Sequence, residues 1–275
     1  GLSPKDFDLA TKALPEKVTE IMTAQGFKVI PTGVDHGTVT VAGKHGAYEL
    51  TSLRKDVETD GRRAVVSFGE SFEEDSLRRD FSFNAMYEDA EGKLYDYHKG
   101  QEDLTNKRIR FVGDAETRIR EDYLRIMRLF RFWARLDFRP DDETLEVIAK
   151  TKSGLKDISI ERSRSELLLL LDANYPEIPL RKMYELGVLN EIIPAIDQGS
   201  NIDNISQLNT AEMKDIARLS YLLSDNRDPR SLKKIAKDLK LSQKQERAIV
   251  FLVGSEFAEP LDQSQIMDIL DDTDK

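Results

Sequence analysis

The spacing of apolar residues changes once along this chain, near Asp114. Before that point, short alternating runs separated by turn residues predict strands with few helices between them. After it, apolar residues recur every three to four positions, which predicts helices only. A small mixed sheet followed by consecutive helices indicates an α+β head joined to an all-α remainder.

The first part is predicted to contain two helices among its strands. Pro15 opens the first helix and Gly26 stops it. Ser71 and Glu74 form a capping box that predicts a second helix over 71–79. The charged stretch 54–63 is predicted to be an exposed loop. The expected strands lie within 1–10 and over 27–30, 38–42, 47–53, 64–68 and 93–97.

The second part is predicted to be a series of helices with prolines at their joints. The polar stretch from Asn201 to Gln207 is predicted to be a linker between modules. The expected helices cover 115–136, 142–150, 160–172, 178–186, 210–224, 230–239, 242–254 and 263–270.

Composition limits the class of protein. A length of 275 residues suggests about two domains or one elongated helical protein, and the absence of cysteine excludes disulfides and thiolate metal sites. The longest apolar run, Leu167 to Leu171, is too short to cross a membrane. We therefore expect a soluble, cytoplasmic protein.

Charge is distributed unevenly. The net charge of −10 counts against a nucleic-acid binder for the chain as a whole. The segment from Lys107 to Arg139 is nevertheless rich in arginine, so a local basic face on an acidic protein is possible.

Asp6 and Asp8 are separated by one residue, so on a strand both carboxylates lie on the same face. Paired carboxylates suit Mg²⁺, which prefers oxygen ligands and keeps positions for water and phosphate. Glu49 is the candidate for a third carboxylate if its strand neighbours that of the aspartates. Taken alone, the aspartate pair is more typical of a solvated turn.

A helix that contains Glu121 to Phe132 is predicted to be amphipathic. Tyr123, Ile126, Met127, Leu129, Phe130 and Trp133 form its apolar face, whereas Arg125, Arg128, Arg131 and Arg135 lie opposite. The simplest interpretation is a surface helix with an ordinary ion pair between Asp122 and Arg125. The alternative is base selection, because a carboxylate only accepts hydrogen bonds and a guanidinium only donates them. Such a pair would fit cytosine and adenine, which present an amine beside a ring-nitrogen acceptor, and would reject uracil and guanine.

Three segments together resemble motifs of the class II tRNA nucleotidyltransferases, the CCA-adding enzymes, and the related bacterial poly(A) polymerases. They are Lys5-Asp6-Phe7-Asp8-Leu9-Ala10-Thr11, Arg78-Arg79-Asp80-Phe81-Ser82-Phe83-Asn84-Ala85 and Glu121-Asp122-Tyr123-Leu124-Arg125-Ile126-Met127-Arg128. Asp60-Gly61-Arg62-Arg63-Ala64 resembles the family's flexible loop, and Ile158-Ser159-Ile160-Glu161-Arg162 resembles part of its helical neck. The resemblance covers residues 1 to 196 well and the remainder loosely.

The resemblance implies a seahorse-like fold, with a nucleotidyltransferase head over 1–113, a helical neck over 114–196 and a body and tail over 197–275. It implies Mg²⁺-dependent addition of C, C and A to tRNA 3′ ends from CTP and ATP. Asp6 and Asp8 would hold the metal ions and Glu49 would complete the catalytic site.

The resemblance also implies a nucleotide-binding set and a flexible loop. Asp122 and Arg125 would select the base, whereas Arg128 and Arg131 would assist the phosphates. The nucleotide-binding set is Arg79, Asp80, Asn84, Asp122, Arg125, Arg128 and Arg131, and the flexible loop contains Asp60, Gly61 and Arg62.

Several alternatives stay open at this point. The loop favours addition of A as well as C, although A-only and poly(A) activity use the same pairing logic. The family's Gly-Gly-x-Val-Arg-Asp segment normally precedes the position of Gly1, so the head is expected to be incomplete. A non-catalytic RNA-binding module is the alternative from another class. We expect a monomer that binds the tRNA acceptor end and no membrane.

Overall fold

The computed structural model describes residues 8–44, 46–59, 64–69, 71–196, 199–208, 213–226 and 228–254. The chain divides into two compact units. The first contains the residues up to 102 together with 111–113, and the second contains 103–110 and the residues from 114 onward. The predicted division at 113 and 196 stays a prediction.

The first unit is built on a mixed four-stranded sheet. Its strands are β1 (Asp8–Thr11), β2 (Lys28–Gly33), β3 (Thr38–Gly43) and β4 (Gly46–Ser52), in the order β1-β4-β3-β2. β1 runs parallel to β4, and the other neighbours are antiparallel. Helix α1 (Pro15–Ala24) begins at a proline, whose fixed φ suits the first helical turn. It packs against β2, β3 and β4.

The two faces of this sheet differ in polarity. Val39 and Val41 are almost fully buried, as is Val18 of α1, which places the core on the helix side. On the opposite face, the Thr38 and Thr51 hydroxyls are hydrogen-bonded at 3.0 Å, and those of Thr32 and Thr40 at 2.8 Å. Because side chains alternate along a strand, the sheet keeps one apolar and one polar face.

Two hairpins and two short helices complete the first unit. The hairpins are β5 (Arg54–Thr59) with β6 (Ala64–Phe68), and β7 (Met86–Glu88) with β8 (Leu94–Asp96). The expected loop at 54–63 is therefore wrong over its first six residues, which form β5. Helix α2 (Phe72–Leu77) has the predicted cap, because the Ser71 hydroxyl accepts the Glu74 N–H at 3.3 Å. Helix α3 (Gly100–Thr105) follows the second hairpin.

The second unit is helical. The helices are α4 (Ala115–Glu121), α5 (Leu124–Leu136), α6 (Asp142–Thr151), α7 (Ile160–Asp172), α8 (Glu177–Glu185), α9 (Val188–Ile192), α10 (Lys214–Leu222), α11 (Pro229–Asp238) and α12 (Gln243–Gly254). α5 packs on α7, α7 on α10, and α10 on α12. The predicted helix at 263–270 lies outside the described residues. The expected fold class, an α+β head and an all-α remainder, is confirmed.

Two predictions about the helical unit are wrong. The helix expected over 115–136 is interrupted, because Asp122 adopts an extended conformation with φ −153° and ψ 104°. The stretch from Asn201 to Gln207 is no linker, since Ile202 and Ile205 are buried and two 3₁₀ turns order the backbone there. The buried side chains of Ile202 and Ile205 hold the segment against the neighbouring helices α8 and α10.

None of the helices within the described ranges combines the length and the apolar character needed to cross a bilayer.

Arg218 on α10 is a buried cation bonded to backbone carbonyls. Its guanidinium donates to Leu171 O at 2.6 Å, to Ala173 O at 2.7 Å and, through Nε, to Ile205 O and Leu208 O at 3.2 Å. Burial lowers the pKa of Arg218 below its ordinary value. The side chain thus ties the end of α7 to the segment that was expected to be a linker.

Replacing Arg218 with methionine is expected to lower the free energy of unfolding by about 3 kcal/mol, because buried carbonyls lose their donor. Urea denaturation measures this change. Arg230→Met is the control, since 94% of that side chain is exposed, and we expect a change within about 0.5 kcal/mol. Equal midpoints for the two variants would contradict the assigned role.

Candidate functional site

The first candidate cluster lies on the polar face of the sheet. β1 and β4 are neighbours, as the assignment of Glu49 required, and Asp8 stands directly opposite Glu49 in their parallel register. Paired positions on adjacent strands point to the same face about 5 Å apart. Both residues are exposed, and Thr40 of β3 is paired with Glu49 from the other side. Asp6, the other aspartate of the predicted pair, lies outside the described residues.

This carboxylate pair fits a hard divalent cation. Carboxylate oxygens are the ligands that Mg²⁺ selects, and the ion commonly uses only one or two of them. No set of three or more acidic, histidine or cysteine ligands occurs among the residues that the structure covers. Asp8 and Glu49 are therefore a two-residue candidate whose role stays a prediction.

Arg79 is held by a buried carboxylate that was not among the predicted site residues. Asp75 of α2 is nearly inaccessible, and its Oδ2 accepts from Arg79 Nη2 at 3.2 Å and from the Tyr87 hydroxyl at 2.5 Å. Its Oδ1 accepts from Arg78 Nε at 2.9 Å and from the Arg54 backbone N–H at 3.0 Å. Burial alone would raise the pKa of Asp75, but these donors together lower it below its ordinary value. The spacing of three and four residues to Arg78 and Arg79 was the available sequence signal.

Asp80 and Asn84 contact each other. Asp80 is buried, and its Oδ1 accepts the Phe81 N–H at 2.8 Å and the Asn84 side-chain amide at 3.2 Å. These bonds fix the start of the 3₁₀ turn Ser82–Asn84. In this structure Asp80 orients Asn84, which is half-buried, rather than presenting a freely exposed carboxylate.

The predicted flexible loop, Asp60, Gly61 and Arg62, falls outside the described residues. The strands on either side of it, β5 and β6, pair from Arg54–Phe68 to Thr59–Ala64.

The interruption between α4 and α5 turns Asp122 away from the helix. Its Oδ1 accepts the N–H of Leu124, the first residue of α5, at 3.1 Å, and its Oδ2 accepts from Arg162 Nη2 of α7 at 2.6 Å. Both carboxylate oxygens are thereby fixed. Arg162 belongs to the segment that resembles the family's helical neck, but its contact with Asp122 joins residues forty positions apart, so no local sequence pattern could predict it.

Arg125 pairs with a different carboxylate from the one expected. Its Nη1 donates to Glu121 Oε2 and to Arg118 O, both at 2.6 Å. The prediction of an ordinary Asp122–Arg125 ion pair on a continuous helix is therefore wrong. Asp122 leaves the helical path, so the usual i, i+3 neighbourhood no longer applies.

Arg128 and Arg131 both lie beside Glu166 of α7. Arg131 Nε lies 2.7 Å from Glu166 Oε2, and Arg128 Nη1 lies 3.7 Å from Glu166 Oε1. The Arg131 guanidinium also stacks over Phe132, 4.3 Å from the ring centre. Glu166 is buried and sits one turn after Arg162. One face of α7 thus orients Asp122, Arg128 and Arg131, whereas Arg135 is exposed.

Tyr123, next to Asp122, packs on the backbone of Gly154. A Cβ added at Gly154 would overlap the Tyr123 ring far inside van der Waals contact. The packing of Tyr123 therefore depends on a glycine more than thirty residues away.

Gly154→Ala is expected to lower the free energy of unfolding by about 1–3 kcal/mol, because the methyl group overpacks a buried site. Thermal or urea denaturation measures the loss. Gly69→Ala is the matched control, since its nearest neighbour is Glu74 Oε2 at 3.8 Å, an ordinary contact. An unchanged midpoint for Gly154→Ala would show that Tyr123 can move without cost.

Two family models match this chain. The model described as the poly A polymerase head domain matches residues 1–110, and the model of the probable RNA and SrmB-binding site of polymerase A matches residues 137–199.

Curated relatives include tRNA nucleotidyltransferases from animals and bacteria. The human "CCA tRNA nucleotidyltransferase 1, mitochondrial" is 42% identical over 212 residues, which cover 75% of this chain and 49% of that protein. The "CCA-adding enzyme" of Streptococcus uberis is 44% identical over 164 residues, which cover 59% of this chain and 40% of the relative. The chain thus spans about half the length of the curated relatives it matches.

Solved structures of similar fold include the Bacillus stearothermophilus CCA-adding enzyme in complex with CTP. It is 28% identical with a TM-score of 0.64, and the match covers 97% of this chain and 72% of that one. A tRNA nucleotidyltransferase complexed with a primer tRNA and an ATP analogue has a TM-score of 0.75 at 23% identity, and the match covers 92% of this chain and 76% of that one. At this level of identity the match supports the fold alone. Because two family models, the curated relatives and the fold all agree, the chain belongs to the family of class II tRNA nucleotidyltransferases and poly(A) polymerases.

Proposed function

We propose that this chain takes part in adding C, C and A to the 3′ end of tRNA from CTP and ATP, without a nucleic-acid template. The observation that carries the proposal is the pairing of Asp8 with Glu49 on the exposed polar face of the sheet. A structural sheet gains nothing from two like charges placed opposite each other, because their repulsion destabilises the pair.

The reaction is a nucleotidyl transfer. The oxygen of the tRNA 3′-hydroxyl bonds to the α-phosphorus of the nucleoside triphosphate, the bond from that phosphorus to the pyrophosphate oxygen breaks, and the hydroxyl proton is released. Positioning and charge compensation contribute most of the catalysis in phosphoryl transfer. The family generally uses a divalent metal ion.

We propose Mg²⁺ as this ion, held by Asp8 and Glu49 together with Asp6. When bound, it would compensate negative charge on the phosphate oxygens. Arg79 would bind phosphate oxygens of the incoming nucleotide, since a guanidinium recognises them by charge-assisted hydrogen bonds. Asn84, oriented by Asp80, would contact the sugar or phosphate.

Asp122 and Arg125 would select the base. An ionised carboxylate has about four acceptor positions, so Asp122 can accept the amine of cytosine or adenine while Arg162 holds the same group. Arg125 would donate to the adjacent ring nitrogen. Arg128 and Arg131, oriented by Glu166, would support this pair or the phosphates.

The test is incorporation of each labelled nucleoside triphosphate, with Mg²⁺, into tRNA that ends before CCA, after C and after CC. We expect ordered addition of C, C and A, with no uridine or guanosine. Absence of incorporation by folded protein that binds tRNA would contradict the proposal and support an RNA-binding module.

A second candidate is A-only or poly(A) addition, since the head matches a model named for poly A polymerase. The same assay separates the two, because A added alone or without limit would assign the chain to that branch.

We further propose that the protein is a monomer and is located in the cytoplasm. Light scattering and cell fractionation test these two points, and fractionation matters because one relative is named as mitochondrial.

A further inference from the structure

Asp75 accepts hydrogen bonds from four residues in three different parts of the first unit. They are the neighbouring Arg78 and Arg79, the Tyr87 hydroxyl of β7 and the backbone N–H of Arg54, where β5 begins. Only about 1% of its side chain is exposed, so Asp75 itself cannot touch a substrate.

The two arginines on this carboxylate are not equivalent. Arg78 lies on Oδ1 at 2.8 Å with 14% of its side chain exposed, whereas Arg79 lies on Oδ2 at 3.2 Å with 31% exposed. Arg79 is also held over the Tyr87 ring, 5.6 Å from its centre, and Phe72 supports that ring edge-on at 5.1 Å. Arg79 is therefore the cation of this cluster that is both immobilised and more open to a ligand.

The guanidiniums of Arg78 and Arg79 share the single carboxylate of Asp75, one on each oxygen. An arginine that is fixed before binding loses less side-chain freedom when it meets a phosphate, which raises affinity. If Asp75 only stabilised the local backbone, its Oδ2 would not have to hold a partly exposed arginine such as Arg79.

We propose that Asp75 is a positioning residue for nucleotide binding, which holds Arg79 toward the phosphates of the incoming nucleoside triphosphate. This inference rests on the proposed function, and in it Asp75 acts on the nucleotide only through Arg79. The bond from the Arg54 N–H to the same carboxylate sets the start of β5 against this cluster.

The test is Asp75→Asn, with KM and kcat measured for CTP and ATP and with equilibrium binding of labelled CTP. We expect KM and the dissociation constant to rise about tenfold, since Arg79 loses its fixed orientation. In an Arg79→Ala background the same substitution should change either value less than twofold. Asp89→Asn is the matched control, because Asp89 also accepts a tyrosine hydroxyl, at 3.1 Å, and a backbone N–H, at 2.8 Å, and lies beside Lys93 instead of Arg79.

Tyr87→Phe keeps the ring and the Asp75 charge but removes one donor, so it tests the inference even if Asp75→Asn does not fold. We expect a two- to threefold rise in the dissociation constant for CTP. Unchanged affinity in folded Asp75→Asn or Tyr87→Phe, or an equal loss in the Arg79→Ala background, would overturn the inference. A wild-type chain that adds no nucleotide, but binds CTP with this dependence on Asp75, would overturn the proposed function and leave the inference standing.

Discussion

Replacing Asp8 with asparagine is expected to slow nucleotide addition by roughly 10³-fold or more. The substitution keeps the size of the side chain but removes the charge opposite Glu49. Charge stabilisation by a bound metal ion contributes several kcal/mol to such a transfer, and each 1.36 kcal/mol is about tenfold in rate. Single-turnover addition of labelled CTP measures the loss, and tRNA binding measured by filter retention should persist.

The control for Asp8→Asn is Glu20→Gln, an exposed carboxylate on α1 that forms an ion pair with Lys17. It belongs to the helix that covers the apolar side of the sheet, so transfer should continue at the wild-type rate. Glu49→Gln should reproduce most of the loss, because it faces Asp8 across the parallel pair. Normal turnover by folded Asp8→Asn would refute the metal assignment.

Replacing Asp122 with alanine is expected to reduce the preference for C and A over U and G by roughly 10²-fold or more. A site built to hydrogen-bond its substrate rejects the wrong one strongly, because buried polar groups would otherwise be left without partners. Competition between labelled nucleotides on one tRNA acceptor measures the preference.

Asp122 also accepts the Leu124 N–H at the start of α5, so its loss is expected to cost about 1 kcal/mol of stability. Asp141→Ala separates the two effects. Asp141 caps α6 by accepting the Thr144 N–H at 2.8 Å and has no proposed role in base selection. Selectivity should fall only in Asp122→Ala, and an equal preference in both variants would exclude Asp122 as the base-selecting group.

Elements set by neighbouring residues were predictable from the sequence. The spacing of apolar positions gave α7 its exact bounds, 160–172, because a buried stripe every three to four residues is a local property. The Ser71 cap and the antiparallel pair of β3 and β4 were equally accessible, since hydrogen bonds over a few residues determine both. The family and the proposed reaction were predicted from the resemblance of motifs, and not from the periodicity of apolar residues.

Contacts between distant segments were decided by the tertiary structure. The sequence suggested Glu49 only on the condition that its strand neighbours Asp8, and the parallel pairing of β1 with β4 met that condition. It favoured an Asp122–Arg125 ion pair, yet the chain leaves the helix at Asp122, where Tyr123 packs on Gly154 and Arg162 takes the carboxylate. Helix propensity therefore determined which residues could be helical, whereas packing against segments thirty to forty residues away determined where the helix stops and which charges meet.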